Sequence, residues 1–341
     1  MKIALITTTI YVPQVLSLYR SFDESVEFFV AGDRKTPHDE VKSFIRTVGN
    51  ARYYSVEDQE KLGYRSSEII GWNKIMRRNI ALLEAVRSGA DVIVTIDDDN
   101  IPVNAEYFSD FRRLFRQPFK GLMAAPKSGW FDIGGLLTPT VFHRGFPYDQ
   151  RQGDRGYKIA PVTGQKIGVA AGLWMGDPDI DAMQRITNGP MVLDCSELVR
   201  AGLVVSPSCM TVFNSQNTAF LRELAPLLMV WISVGRYDDI WASYVTQRVM
   251  RETDYAVHFG RPFVWQERNT QNLWNNLRDE VMGMETTPRF VRDLNEMDLG
   301  GGSVLDKLRN VYRNLAKLDY VPRPCLELGE AWCSDFERVA G

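Results

Sequence analysis

The stretch Ile93-Val94-Thr95-Ile96-Asp97-Asp98-Asp99-Asn100 is an apolar, β-branched strand that runs directly into three consecutive carboxylates. Such a cluster is costly unless a positive group binds it, and ligands of α/β sheets bind at the carboxyl ends of the strands. A divalent cation, Mg²⁺ or Mn²⁺, bridging to a diphosphate is the expected partner, because these ions prefer oxygen ligands and keep positions open for phosphate. The alternative is an acidic turn that only caps the next segment.

Side chains alternate along an extended strand, so Asp97 and Asp99 share one face and Asp98 points the other way. We therefore predict that Asp97 and Asp99 bind metal or phosphate and that Asp98 belongs to the nucleotide site, near the ribose. The metal would act as a Lewis acid on a departing diphosphate, which is what a nucleotide-sugar enzyme needs.

Strand and helix patterns alternate around this stretch, which is typical of an α/β sheet with crossover helices. The predicted strands cover Lys2 to Thr9, Val26 to Val30 and Asp91 to Ile96. The predicted helices cover Val12 to Phe22, Ser66 to Ser88, Asp238 to Thr253, Asn269 to Val281 and Val304 to Leu318, the last after a hinge at Gly300-Gly301-Gly302. Between Gly121 and Gly176 glycine, proline and aromatic residues predict a loop-rich acceptor side of a cleft.

We divide the 341 residues into three parts on this basis. Residues 1–120 form the nucleotide-sugar-binding half, residues 121–285 form the sugar and acceptor half of the same domain, and residues 286–341 form a C-terminal helical extension.

Composition excludes several classes of protein. With 40 Lys and Arg against 43 Asp and Glu, interspersed along the chain, no basic field exists to hold nucleic acid. Four cysteines without a CxxC pair favour a reduced, cytoplasmic compartment. Thr7, Thr8 and Thr9 interrupt the first apolar run, and no run approaches the roughly 20 residues that span a bilayer, so we expect neither a signal peptide nor direct membrane insertion. The sequence does not decide whether the protein is a monomer or a homo-oligomer.

Two further segments carry candidate site residues. Gly235 to Ala242 places Asp238 and Asp239 at the start of a helix, where Asp238 is either a plain N-cap or part of a sugar or base-catalysis site. His143 to Gly153 is a Gly- and Pro-containing loop with Arg144 and Arg151, which are either solvated or bidentate anion clamps. Lys74, Arg77 and Arg78, before the acidic strand, either reach phosphate or form a solvated face.

Taken in order, these segments resemble the reversibly glycosylated polypeptide family, the UDP-arabinopyranose mutases best known from plants. The resemblance covers roughly residues 90 to 280. It rests on Thr95 to Asp99, Arg144 to Gly153, Gly172-Leu173-Trp174 with Asp177-Pro178-Asp179-Ile180-Asp181-Ala182, and Gly235 to Ala242. Arg77-Arg78-Asn79-Ile80 is also similar to the Arg-Lys-Asn-Ile helix of a related group of plant Golgi proteins.

The resemblance implies a GT-A glycosyltransferase-like fold, a mixed sheet flanked by helices, and a UDP-sugar substrate. It also implies a divalent cation on the acidic motif, reversible attachment of the sugar to Arg144, and a requirement for Arg151. A guanidinium is not a nucleophile, so attachment needs a carboxylate to take a proton, and Asp238 or Asp239 is the candidate. Thr7, Thr8, Thr9 and Asp33, at the ends of the first two strands, would meet uridine, and Lys74 and Arg78 would meet phosphate.

The chain departs from the family pattern after Gly260-Arg261-Pro262-Phe263-Val264-Trp265, where Gln266 replaces a histidine. A late histidine commonly completes the metal site in GT-A enzymes, and Gln266 offers only an amide oxygen as the remaining metal ligand. Our main hypothesis is a metal-dependent UDP-sugar pyranose/furanose mutase. The alternatives are a glycosyltransferase with an external acceptor and a non-catalytic sugar-binding homologue.

Overall fold

The computed structural model describes residues 1–152, 157–268 and 271–340, and its centre is a large β-sheet. The strands of these ranges are β1 (Ile3–Thr9), β2 (Glu27–Gly32), β3 (Ala51–Tyr54), β4 (Val92–Ile96), β5 (Asn100–Pro102), β6 (Phe119–Pro126), β7 (Leu137–Thr138), β8 (Tyr157–Gly176), β9 (Asp194–Cys195), β10 (Leu203–Val205), β11 (Asn217–Leu221) and β12 (Tyr255–Gln266).

The strand order of the large sheet is β3-β2-β1-β4-β11-β8-β6-β10-β12-β5, with β12 also paired to β8. Strands β1, β2, β3 and β4 are mutually parallel, β11 runs antiparallel to both β4 and β8, and β8 is parallel to β12. The carboxyl ends of β1, β2, β4, β8 and β12 therefore lie at one edge of the sheet. This edge collects the polar residues of the candidate site.

Helices pack against the sheet and build the rest of the core. In chain order they are α1 (Val15–Phe22), α2 (His38–Val48), α3 (Val56–Leu62), α4 (Arg65–Ile70), α5 (Arg78–Arg87), α6 (Tyr107–Arg116), α7 (Ala182–Asn188), α8 (Glu197–Ala201), α9 (Asp238–Met250), α10 (Leu273–Glu296), α11 (Val304–Leu315) and α12 (Arg323–Ala340). The predicted α/β class, with a mixed sheet flanked by helices, is confirmed.

The single helix predicted over Ser66 to Ser88 is wrong, because the chain breaks between α4 and α5. Gly71 and Asn73 both adopt positive φ angles, of 67° and 61°. The carboxylate of Asp33 accepts hydrogen bonds from the backbone N–H groups of Asn73 and Lys74 at 2.7 and 2.9 Å, so it fixes the break. Helical periodicity continues across the break, which is why the sequence pattern did not reveal it.

The predicted loop-rich segment from Gly121 to Gly176 is also corrected. It contains most of β6 and the 20-residue strand β8, which pair antiparallel with each other. The first ten residues of β8 are exposed or half-buried and carry few apolar side chains, whereas the buried second half is interrupted by Gly168, Gly172 and Gly176, so neither half produces a strong strand pattern.

The C-terminal third is more helical than predicted. The helix predicted over Asn269 to Val281 is observed as α10, which extends to Glu296, and the first two residues of the predicted segment lie outside the described ones. Helix α12 was not predicted as a separate element. Helix α10 runs across position 285, and the three-part division of the chain stays a prediction.

Within the described ranges, no helix combines the length and the apolar character needed to cross a bilayer. The four cysteines, Cys195, Cys209, Cys325 and Cys333, are free and buried.

His258, a buried residue of β12, gives a pH-dependent prediction. Burial and the charge of Arg113 lower the pKa of His258 to about 3, so the folded protein keeps this imidazole neutral. In the unfolded chain this imidazole takes up a proton near pH 6.5. The contribution of His258 to the free energy of unfolding is therefore fully present above pH 6.5 and is lost progressively as the pH falls below it. Between pH 7 and pH 5 we expect a loss of about 2 kcal/mol from this group. Urea denaturation of the protein and of His258→Leu at both pH values checks this, and equal losses would contradict it.

Candidate active site

Two adjacent cavities open at the carboxyl edge of the sheet. The first, which we call the threonine cavity, has a volume of about 370 Å³ and is lined by Thr8, Thr9, Ile10, Tyr11, Asp33, Lys35, Asn73, Lys74, Ile75 and Asp98. The second, the arginine cavity, has a volume of about 280 Å³ and is lined by Ile75, Arg78, Asp97, Arg144, Asp179, Asn214, Ser215, Gln216, Val230, Arg236, Asp238, Asp239 and Arg268. Ile75 lines both cavities, and the acidic motif contributes to both.

The three carboxylates that follow β4 have different partners. Asp97 forms an ion pair with Nη2 of Arg78, Asp98 accepts a 2.5 Å hydrogen bond from Thr9 Oγ1, and Asp99 accepts one from Nε2 of Gln266 at 3.0 Å. Asp97 lines the arginine cavity and Asp98 the threonine cavity. The motif thus separates the two cavities. Strand β4 ends at Ile96, and Asp98 and Asp99 lie in a turn in which the backbone N–H of Asn100 donates to the carbonyl oxygen of Asp97 at 3.2 Å, so the predicted strand alternation does not extend through the motif.

The acidic motif concentrates negative charge. Burial, followed by the charges of Asp97 and Asp98, raises the pKa of Asp99 to about 6, and burial also raises the pKa of Asp98. Asp99 Oδ1 is buried and has no hydrogen-bond partner among the described residues. No group of three or more His, Cys, Asp or Glu side chains in those residues is arranged to hold a metal ion. The protein therefore supplies a few oxygen ligands here and no complete metal cage.

Gln266, predicted as a metal ligand, has its amide oxygen already engaged. Its Oε1 accepts from the amide nitrogens of Asn100 and Gln216, and its Nε2 faces Asp99. In this arrangement the Gln266 amide nitrogen orients the Asp99 carboxylate, and the Gln266 amide oxygen is not free to bind a metal ion.

The residues predicted to meet uridine are distributed unequally. Thr8 and Thr9 line the threonine cavity, whereas Thr7 is fully buried and lines neither cavity. Asp33 lines the threonine cavity, but its oxygens already bind the backbone of the Asn73–Lys74 segment. Lys74 also lines this cavity, whereas Arg78 lines the arginine cavity.

Arg144 is the most constrained cation of the site. Its Nε and Nη2 donate to the two oxygens of Asp179 at 2.9 and 3.1 Å, and Nη2 also donates to Asp239 at 3.2 Å. Its Nη1 donates to the carbonyl oxygen of Arg236. Burial lowers the pKa of Arg144, but the charges of Asp179 and Asp239 outweigh burial and hold that pKa well above its ordinary value. This side chain is a fixed guanidinium.

Arg151, predicted as a phosphate or sugar clamp, lies outside both cavities. Its Nη2 donates to Asp181 at 2.5 Å and to the carbonyl oxygen of Phe146 at 3.1 Å. Its guanidinium also packs on the ring of Tyr148, 3.7 Å from the ring centroid. These contacts stabilise the loop that carries Arg144, and Arg151 makes them outside the arginine cavity.

Asp238 and Asp239 lie together at the start of α9 and both line the arginine cavity. Asp239 accepts from the backbone N–H and hydroxyl of Ser215 at 2.9 and 3.0 Å, in addition to Arg144. Burial and the neighbouring charge of Asp239 raise the pKa of Asp238, whereas Arg144 outweighs burial and lowers the pKa of Asp239. The raised pKa makes Asp238 the stronger proton acceptor of the two, whereas Asp239 is the one that hydrogen-bonds to Arg144.

Helix α10 supports this part of the site. Glu280, on α10, accepts from Nε of Arg236 at 2.9 Å and from the backbone N–H of Ala182 at 2.6 Å. Gly235 has a φ of +58°, and a Cβ there would lie 1.8 Å from the carbonyl oxygen of Asp279. The helix therefore presses directly on the turn that supplies the Arg236 carbonyl to Arg144.

Several functional residues were not singled out from the sequence. Asp177, Asp179 and Asp181 occupy every second position after β8, and each pairs with an arginine: Arg185, Arg144 and Arg151, respectively. Arg268 also reaches Asp179, at 3.3 Å. Three aspartates at every second position after a strand is a signal that was available, whereas Asn214 and Arg268 carry no local pattern.

The sequence profile described as "Reversibly glycosylated polypeptide" matches residues 12–318. The chain belongs to the reversibly glycosylated polypeptide family. The match includes both cavities apart from Thr8, Thr9, Ile10 and Tyr11 at the start of the chain.

The chain is similar to several curated plant proteins. The chain is 28% identical over 202 residues to a protein named "Probable UDP-arabinopyranose mutase 1" from Pisum sativum, which covers 56% of this chain and 51% of the relative. It is 27% identical over 202 residues to UDP-arabinopyranose mutase 3 from Arabidopsis thaliana, with the same coverage. It is 27% identical over 263 residues to "Probable UDP-arabinopyranose mutase 4" from Arabidopsis thaliana, which covers 72% of this chain and 68% of the relative. The chain thus spans about half the length of the first two relatives.

Proposed function

We propose that this protein interconverts the pyranose and furanose rings of a UDP-sugar and that the sugar passes through Arg144. The observation that carries the proposal is the position of Arg144, fixed beside Asp238 and Asp239 in a cavity that adjoins a second polar cavity. Its family relatives include proteins named UDP-arabinopyranose mutases, which supports UDP-arabinopyranose as the first substrate to test.

The threonine cavity is the proposed site of the nucleoside. Its volume of about 370 Å³ is within the range of small-molecule pockets. Asp98 and the Thr9 hydroxyl form a polar wall suited to ribose hydroxyls, and Lys35 and Lys74 supply positive charge near the diphosphate. The diphosphate would then pass Ile75 and place the sugar in the arginine cavity.

A divalent cation fits the acidic motif as a part of this proposal. The buried, unpaired Oδ1 of Asp99 and the raised pKa of that carboxyl support a cation at this position. Asp97 and Asp99 would hold Mn²⁺ or Mg²⁺, and the diphosphate would complete the coordination, as is usual for Mg²⁺. When bound, the cation supplies neutralisation of the charge that develops on the departing diphosphate.

The protein side chains supply the covalent chemistry. A nitrogen of Arg144 forms a bond to C1 of the sugar while the bond from C1 to the diphosphate oxygen breaks, and its electron pair leaves with UDP. The high pKa of Arg144 leaves almost no neutral guanidine before the reaction, so the guanidinium must lose a proton as the bond to C1 forms. The candidate acceptor of this proton is the neighbouring carboxylate of Asp238. The C1–O5 ring bond of the Arg144-bound sugar then breaks and O5 takes up a proton, after which the O4 hydroxyl adds to C1 and loses its proton. A diphosphate oxygen of UDP finally forms a bond to C1 as the bond from C1 to the Arg144 nitrogen breaks, and that nitrogen regains its proton from the protonated carboxyl. We place this activity in a reducing compartment, the cytoplasm, because the four cysteines are free.

The test is to incubate the full chain with radiolabelled UDP-arabinopyranose, with Mn²⁺ or with a chelator, and without any acceptor. We expect UDP-arabinofuranose on chromatography and labelled protein in the Mn²⁺ arm, and a large loss of both with the chelator. UDP release that needs an added sugar acceptor would instead indicate a glycosyltransferase. Binding of UDP without any turnover would indicate a non-catalytic homologue, and either outcome overturns the proposal.

A further inference from the structure

Asp179 is the residue on which the contacts of the arginine cavity converge. Its carboxylate is buried and accepts from Arg144 Nε and Nη2, from Asn214 Nδ2 at 2.6 Å and from Arg268 Nη2 at 3.3 Å. Its backbone carbonyl also accepts from the backbone N–H of Arg144 at 2.8 Å. Asp179 therefore holds both the main chain and the side chain of Arg144.

The hydrogen bonds of Arg144 distinguish its three nitrogens. A guanidinium has five N–H bonds. The Nε hydrogen goes to Asp179, the two Nη2 hydrogens go to Asp179 and Asp239, and one Nη1 hydrogen goes to the Arg236 carbonyl. Among the described residues only the second Nη1 hydrogen has no acceptor. The side-on pairing with Asp179 thus protects Nε and Nη2 and leaves Nη1 as the nitrogen that can approach a ligand.

We propose that Asp179 is a positioning residue that holds Arg144 so that Nη1 is the nitrogen presented to the sugar. The inference rests on the proposed attachment of sugar to Arg144 and specifies the atom. The bond forms between Nη1 and C1 as the bond from C1 to the diphosphate oxygen breaks and its electron pair leaves with UDP. One of the two Nη1 protons passes to a carboxylate of the Asp238–Asp239 pair, and the other stays on Nη1, donated to the Arg236 carbonyl. Asp179 stays ionised throughout, because burial raises its pKa but Arg144 and Arg268 outweigh burial and hold that pKa well below the usual value.

Asp179→Asn tests this role, since it keeps the shape and removes the charge and one acceptor. We expect kcat for ring interconversion, and the rate of covalent labelling, to fall at least about 100-fold with KM and UDP affinity nearly unchanged, because a small displacement of the reacting nitrogen is that costly. The matched control is Asp110→Asn. Asp110 is also buried and shared between two arginines, Arg113 and Arg261, but lies outside both cavities.

A second variant covers the case in which Asp179→Asn does not fold. Asn214→Ser removes the 2.6 Å donor to Asp179, together with the two hydrogen bonds between the Asn214 amide and Gln216, and we expect it to lower kcat about tenfold without moving KM. If Asp179 had only a structural role, Asp179→Asn would lower the melting temperature and the affinity for UDP together with the activity, and that result overturns the inference. So does labelling of Asp179→Asn at the unaltered rate, which leaves the proposed function intact. Absence of label on the unaltered protein refutes the proposed function itself.

Discussion

Arg144→Lys is expected to abolish covalent labelling and to lower ring interconversion at least about 10³-fold, with UDP binding nearly unchanged. A lysine ammonium keeps the positive charge, so Asp179 and Asp239 are not left as unpaired buried carboxylates, which would cost roughly 3–5 kcal/mol. It has no planar fork, however, and offers no second nitrogen beside the Arg236 carbonyl. The nucleoside and diphosphate are proposed to bind mainly in the threonine cavity, which this substitution does not touch.

The measurements are chromatography of the UDP-sugars, autoradiography of the protein and calorimetry with UDP. Arg185→Lys is the matched control, because Arg185 pairs with Asp177 in the same segment and lies outside both cavities. We expect it to keep activity within about threefold, as is usual for a partly exposed ion pair. Retention of more than a tenth of the activity by Arg144→Lys would show that the sugar does not pass through this side chain.

The elements that follow strong local patterns were predictable from the sequence. Strand β4 with its acidic motif, strand β1 and helix α9 all lie within a few residues of their predicted positions. The two strands are apolar runs that end at polar residues, and α9 begins at the Asp238-Asp239 pair. The break after α4 was missed, because Asp33 fixes it from 40 residues away in sequence.

In the candidate site, too, local motifs predicted some residues, whereas others depend on contacts between distant parts of the sequence. Arg144, Asp238 and Asp239 were singled out by motif, and the structure brings them together in one cavity. Asp97 and Asp98 line different cavities where the chain turns at Asp98 and Asp99, and the prediction from strand alternation did not include that turn. The roles of Asp179 and Glu280 depend on contacts with Arg144 and Arg236, which lie 35 and 44 residues away in sequence, so no local spacing encodes them.

Arg151 illustrates the limit of analogy with known anion clamps. Two arginines seven residues apart on one loop suggested two equivalent clamps, but the loop folds so that only Arg144 lines the cavity. Arg151 instead lies between the rings of Phe142 and Tyr148, with Asp181 as its counter-ion. A requirement for both arginines is therefore compatible with two different physical roles.

Gly235→Ala is expected to destabilise the protein by about 3 kcal/mol or more, from overpacking together with an unfavourable backbone conformation. The added Cβ would lie 1.8 Å from the carbonyl oxygen of Asp279, which is backbone of α10 and has little freedom to move. The turn must therefore shift away from α10. Since that turn carries the Arg236 carbonyl that binds Arg144, we expect activity to fall together with stability.

Gly63→Ala separates the clash from the backbone strain. Gly63 has a φ of +60°, close to the +58° of Gly235, but a Cβ at Gly63 would have no heavy atom within 4 Å. Its cost should thus be only the left-handed penalty, roughly 1–2 kcal/mol. Urea denaturation of both variants gives the difference, which measures how firmly α10 presses on the turn. Equal losses of unfolding free energy in the two variants would mean that α10 shifts at little cost to make room for the Cβ. The position of the turn would then depend on the ion pair between Arg236 and Glu280 alone.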